Sequence, residues 1–204
     1  MRKSKNLLIV AVLVLAMFAV GCLGGDNYTR GVITDDGFES EFLNLRFTLP
    51  AGFHMLSEED LEDLVEFAGE IIRDNEGRID FAEALTVMEM MAVAPMGSPS
   101  VGVAVERVPA RMTVEAYLES MKEEALEEMS AQGMDITFSD ETVTVEFAGE
   151  TYTQLSATMY MFGMEVNQRY LVRQIGNRMV GLAFSYFPEA EAELQVLIDA
   201  FEPL

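Results

Sequence analysis

The side chains in this 204-residue chain with chemistry to offer are one imidazole, ladders of carboxylates, thirteen thioethers beyond residue 21 and one thiol. His54 is the only histidine, and it follows Leu49-Pro50-Ala51-Gly52-Phe53. A nucleophilic triad built on it would need an activated serine, yet no Gly-x-Ser-x-Gly elbow accompanies it, and the mature chain expected below has no free thiol for a Cys-His pair. The ordinary reading is a turn or surface histidine. Glu115, Glu119, Glu123 and Glu127 repeat at i, i+4, where like charges cost about 0.2–0.5 kcal/mol per pair and only Lys122 offers relief. Such a column suits a divalent cation or a basic partner. Calcium sites, however, draw ligands from several backbone positions, and no EF-hand loop is present, so a solvated helix face is the simpler reading and no metal site is expected. Met88, Met90, Met91, Met159, Met161 and Met164 offer soft donors for Cu(I). Met88 and Met90 are expected to share a strand face by period two, as are Met159 and Met161, which is the pattern of core filler or an adaptable apolar groove. No phosphate-cradling glycine loop, zinc spacing or dinucleotide fingerprint occurs, so no cofactor, no catalytic residue and no enzyme activity are expected.

The thiol carries the sharpest signal. Cys22 follows Ala19-Val20-Gly21 at the end of an apolar run, Leu7 to Val20, that is preceded by Arg2, Lys3 and Lys5. A basic start, an apolar stretch of about 7–15 residues and small residues before a cut mark a secretory leader. With a cysteine next in line, the segment resembles the lipobox of bacterial lipoproteins, although Ala19 stands where that family prefers leucine. The resemblance implies cleavage between Gly21 and Cys22 and lipid on Cys22. A membrane-spanning anchor is the alternative, but the run stops well short of the ~20 apolar residues that a bilayer requires. Two acyl chains, each stabilised by ~0.8 kcal/mol per buried CH₂, would anchor the protein stably. The expected organisation is a signal peptide over 1–21, a tether over 22–30 and one folded domain over 31–204, placed outside the cytoplasm on the cell membrane.

Charge narrows the partners. All 35 acidic residues lie beyond the leader with only 10 of the 13 basic ones, a net −25. Such a field opposes binding to nucleic acid or to anionic headgroups, so the only membrane contact expected is the lipid on Cys22. With no second cysteine the domain can form no internal disulfide and must be stable through burial.

The elements that position these residues can be read from periodicity. Gly31 to Thr34, a turn at Asp35-Asp36-Gly37, and Phe38 onward through Leu45, Phe47 and Leu49 predict a hairpin. Ser57-x-x-Asp60 opens a helix that carries Leu61, Leu64, Val65, Ala68, Ile71 and Ile72 on one face. Strands are predicted at Leu85 to Val93 and Val101 to Val108, then a helix from Thr113 with Val114, Leu118, Met121, Ala125 and Met129 on one side. Val143 to Phe147, Tyr152 to Met161, Met164 to Ile175 and Arg178 to Phe187 predict a four-strand meander, and a closing helix starts at Pro188 with Leu194, Leu197, Ile198 and Phe201 in register. The sum is an α+β domain with a largely antiparallel sheet and about three helices. Both faces of the late strands are partly apolar, which predicts a three-layer α/β/α sandwich.

Several short motifs occur in the order found in a known fold. Leu45-Arg46-Phe47-Thr48-Leu49-Pro50-Ala51-Gly52-Phe53, Thr113-Val114-Glu115-Ala116-Tyr117-Leu118, Gly149-Glu150-Thr151-Tyr152 and Gln168-Arg169-Tyr170 resemble the PsbP-like fold and related lipoproteins of Gram-positive bacteria. Phe53 stands where a tryptophan is common. The resemblance spans nearly the whole chain after the leader and implies a binding or assembly role without a catalytic residue. The expected function is therefore that of a lipid-anchored, non-enzymatic protein that binds or helps assemble an envelope component, possible partners being envelope proteins. A small-ligand or divalent-cation binding lipoprotein is the alternative, and a carboxylate-dependent hydrolase the remaining one. Oligomeric state is not legible.

Overall fold

Period-two alternation produces strands along most of the chain. The computed structural model describes residues 28–63, 86–131, 133–161 and 163–204, which form two antiparallel sheets and the helices that pack on them. The larger sheet contains β4 (His54–Met55), β5 (Thr86–Val93), β6 (Ser100–Arg107), β11 (Arg178–Tyr186), β10 (Met164–Ile175), β9 (Glu150–Met161) and β7 (Asp135–Phe138) in that spatial order, with β8 (Val143–Phe147) also paired to β9. β8 to β11 are the predicted meander. The smaller sheet contains β1 (Val32–Thr34), β2 (Gly37–Ser40), β3 (Leu45–Thr48) and β12 (Phe201–Glu202).

Local chemistry sets the boundaries. Residues 58–63 are helical (α1), and Ser57 and Asp60 cap one another: the Asp60 N–H donates to Ser57 Oγ at 3.1 Å, and the Ser57 N–H to Asp60 Oδ2 at 3.2 Å. The predicted continuation through Leu64 to Ile72, like Leu85, lies outside the described residues. α2 (Val114–Ala131) starts after Thr113, whose Oγ1 accepts from the Ala116 N–H at 3.2 Å. α3 (Glu191–Asp199) follows a 3₁₀ turn over Pro188–Ala190, so the proline occupies the first helical position as expected.

One predicted strand is two. The chain from Phe38 to Leu49 breaks at residues 41–44, where Ser40 Oγ accepts from the Leu43 N–H at 3.2 Å and Asn44 takes φ +48°. β2 and β3 then pair with Phe38 opposite Phe47. Asp35-Asp36 alone make the preceding turn, because Thr34 pairs Gly37. Gly37 is required where it stands: at φ +150° an added Cβ would lie 1.9 Å from the Phe47 carbonyl oxygen.

Both faces of the larger sheet are covered, as the three-layer expectation requires. On one side Tyr117, Leu118, Met121, Ala125 and Met129 of α2 and Leu61 of α1 pack on Met88, Ala104, Met159, Tyr170 and Met179. On the other, Leu194 and Leu197 of α3 share the cover with Phe38, Phe47 and Phe201 of the smaller sheet, against Val103, Leu182 and Phe184. Arg173 ties the layers, donating to the Leu43 carbonyl at 2.6 Å and pairing with Glu150 at 2.7 Å.

The shared face expected for Met88 and Met90 is corrected. Met88 belongs to the α2-side core and Met90 to the opposite one, because a register shift between them inserts Glu89 as an extra residue against β6. The bulge reverses the alternation and turns one charged side chain inward.

Candidate functional site

That inward side chain lies where the predicted tether meets the domain. Glu89 is 1 % exposed. Its Oε1 accepts from the Tyr28 hydroxyl, and its Oε2 accepts from the Gly31 N–H at 2.7 Å. Arg30 reaches past it and donates to the Met88 carbonyl at 3.1 Å, occupying a backbone acceptor of β5. Arg178, at the start of β11, holds its guanidinium 4.0 Å from the centre of the Tyr28 ring, within the range of a cation–π contact, and Phe42 meets the same ring edge-on at 5.1 Å. Residues 28–31 are therefore clasped to the domain by one aromatic ring, one carboxylate and two arginines.

Electrostatics of the clasp follow from burial. Desolvation pushes the Glu89 carboxyl above the usual carboxylate range, against the opposing pull of the Tyr28 and Gly31 hydrogen bonds and of Arg30 and Arg178. The Tyr28 phenol is driven well above its ordinary value, chiefly by burial and then by Glu89. The phenol stays a donor throughout the physiological range.

A second inward carboxylate lies on the other face. Glu106, 0 % exposed, accepts from the Tyr117 hydroxyl of α2 at 2.8 Å. Burial, then Glu106, raises the Tyr117 phenol well above its ordinary value. Glu89 and Glu106 thus hold different segments, the former residues 28–31 and the latter α2. Composition and motif reading passed over both residues, yet each left a signal: a single acid inside an otherwise apolar strand.

The residues singled out from the sequence are scattered. His54 is exposed on the two-residue edge strand β4, opposite Val93. Glu115, Glu119, Glu123 and Glu127 face solvent on α2, with Lys122 Nζ 2.8 Å from Glu119. Among the described residues no three His, Cys, Asp or Glu side chains gather to hold a metal ion. Met88, Met91 and Met159 are core, Met164 is 45 % exposed, and the side chain of Met161 lies outside the described residues. Gly21 and Cys22, with the rest of residues 1–27, on which the leader and most of the tether were predicted, lie outside them too. No helix among the described residues is long and apolar enough to cross a membrane.

At the end of the larger sheet opposite Arg178, several side chains of β9, β10 and β11 stay partly exposed among the described residues. Leu155, Ala157 and Met159 point into the α2-side core, so Ser156, Thr158 and Tyr160 point to the opposite face. There Thr158, Asn167 and Tyr186 form one cross-strand row, and Tyr160 with Glu165 the next. All five are half-buried or exposed, Tyr160 most of all at 54 %. Along β10 this row is eight residues, about 26 Å, from Ile175, which pairs with Arg178, and four residues, about 13 Å, from Leu171, whose row runs through β11 and β6 to Met90 beside Glu89.

No family model and no curated protein sequence matches the chain. Among solved structures it is similar to cyanobacterial PsbP from Synechocystis sp. PCC 6803, at 9% identity and TM-score 0.49, over 90% of this chain and 98% of that one. It is also similar to LpqN of Mycobacterium tuberculosis, described as involved in cell envelope biogenesis, at 10% identity and TM-score 0.43, over 78% and 82%. A Bacteroides thetaiotaomicron protein matches at 11% identity and TM-score 0.43, over 86% of this chain and 48% of that one.

Proposed function

We propose that this chain is a lipid-anchored, extracytoplasmic, non-enzymatic protein that holds one domain at the membrane surface, where it binds or helps assemble a component of the cell envelope. The observation that carries the reading is the amino-terminal pattern that ends at Cys22, and the clasp sets where an anchor there would hold the domain. Tyr28 is six positions beyond Cys22, a span of at most about 21 Å of extended chain, and it is locked to Glu89, midway along β5, and to Arg178, at the start of β11. An anchor at Cys22 would keep the clasped segment near the lipid. The net −25 of the residues after the leader opposes adhesion to anionic headgroups, so the lipid alone would hold the protein.

Cell fractionation with intact-mass spectrometry tests this. The native protein is expected in the membrane fraction with an amino terminus at Cys22 heavier by acyl groups, and Cys22→Ser is expected to move it to the soluble fraction or halt its processing. An unmodified thiol at residue 22, or a Cys22→Ser protein that stays with the membrane, overturns the anchoring.

A further inference from the structure

We propose that Met96, with Met164 after it, is a methionine-oxidation site at which this protein takes up an uncharged peroxide on its surface while the thioethers of its core are spared. Oxidation requires that the oxidant reach the sulfur. Met96 is 87 % exposed and Met164 45 %, whereas seven other methionines, among them Met88, Met90 and Met159, are at most 3 % exposed. Met55, Met112 and Met134 are half-buried and pack against one core or the other.

Both thioethers stand at one end of the larger sheet. The row of Ser100, Ser185 and Gln168 joins β6, β11 and β10 there; Met96 lies in the loop that leads into β6 at Ser100, and Met164 opens β10 four residues before Gln168. Met96 is carried on a hydrogen-bonded turn. The Gly97 N–H donates to the Ala94 carbonyl at 2.8 Å, which closes a turn with Pro95 at its second position and glycine at its fourth, and the Ala94 N–H donates to the Pro99 carbonyl at 2.9 Å. Ser98 Oγ accepts from the Phe187 N–H at 2.9 Å and ties the loop to the residue that follows β11. Ordered backbone therefore holds this side chain out in solvent.

The step is a two-electron oxidation by hydrogen peroxide. The Met96 sulfur attacks one peroxide oxygen, an S–O bond forms as the O–O bond breaks, and the sulfur becomes a sulfoxide; the departing hydroxide gains the proton lost by the transferred oxygen and leaves as water. Charge selects the oxidant. Residues 22–204 carry −25, a field that repels anionic oxidants and leaves an uncharged peroxide unhindered. A sulfoxide at Met96 adds a polar oxygen where solvent already surrounds the side chain, so the surface turns from apolar to polar and no packing is lost. The same change at Met90 or Met159, both fully buried, would put a polar group without a partner into an apolar core.

The test treats the native protein with limiting hydrogen peroxide and locates sulfoxide by digestion and mass spectrometry. Sulfoxide is expected first at Met96 and next at Met164, at rates about tenfold or more above those of Met88, Met90 and Met159, with the melting temperature unchanged once both surface sites are filled. Met96→Leu combined with Met164→Leu is expected to abolish the fast phase of sulfoxide formation and to leave the melt unaltered. Oxidation of the core methionines as fast as Met96, a Met96 that stays unmodified, a fast phase that survives the double variant, or a fall in melting temperature on filling the surface sites overturns the proposal.

Discussion

Glu89 shows what one residue out of phase can do. In a strand of period two it would alternate with its neighbours; the bulge between Met88 and Met90 instead turns it under the chain that arrives from the tether. Its carboxyl is raised from an ordinary 4.5 by burial, so the folded protein retains a proton that the unfolded chain releases. Folding is therefore favoured by the neutral form below pH 4.5, and this contribution is lost as pH rises from there through the raised value, with a slope of at most about 1.4 kcal/mol per pH unit. Glu124, also raised by burial, acts in the same direction. Glu89→Gln is uncharged and keeps one acceptor oxygen for the Gly31 N–H, while its amide NH2 faces the Tyr28 hydroxyl, which can turn to accept. Thermal melts of the variant are expected to show a shallower decline between about pH 4.5 and pH 7, with the variant at least as stable as the parent at pH 7. A steeper decline, or loss of stability at neutral pH, would mean that the ionised carboxylate holds the clasp.

Among the elements, β12 has the least sequence to announce it and a large share of the packing. Phe201 begins this two-residue strand, pairs with Phe47 of β3 and sits 4.6 Å from its ring, 5.3 Å from that of Phe147 and 6.1 Å from that of Phe184. It joins both sheets and the end of α3 through one side chain. Phe201→Ala is expected to cost about 3–5 kcal/mol in urea unfolding, a loss of the size seen for large core aromatics. A cost below about 1 kcal/mol would show that the smaller sheet contributes little to the core. Periodicity assigned Phe201 to the last turn of the closing helix, where it does align with Leu194, Leu197 and Ile198. The helix ends at Asp199, with Ala200 as its cap, because Phe201 and Glu202 gain more by pairing with β3. β4 and β7 went unread for the same reason: strands of two and four residues carry too little alternation to be distinguished from loop, and cross-strand partners alone stabilise them.

For the molecule as a whole, charge is the dominant global property. With −25 spread over residues 22–204, self-repulsion opposes the compact state, most strongly at low ionic strength. Raising salt shortens the Debye length from about 30 Å at 0.01 M to about 8 Å at 0.15 M. The melting temperature of the Cys22→Ser protein is expected to climb by several degrees over that range, and a flat or falling curve would mean that local ion pairs outweigh the repulsion. Much of the architecture was legible beforehand. The meander, the capped starts of α1 and α2, the proline start of the last helix and the need to cover both sheet faces all follow from interactions between residues near in sequence, whose signals survive in a single chain. The amino-terminal pattern ending at Cys22 is equally local, and it alone supports the anchoring. Strand order, the sharing of one face between α3 and a second sheet, the burial of Glu89 under Tyr28 and Gly31, and the partly exposed side chains at the end opposite Arg178 were decided only in the tertiary structure. They join residues such as Gly31 and Glu89, or Arg46 and Glu202, 58 and 156 positions apart. Local propensity and period are silent at such distances, and pairing there is chosen by which surfaces fit.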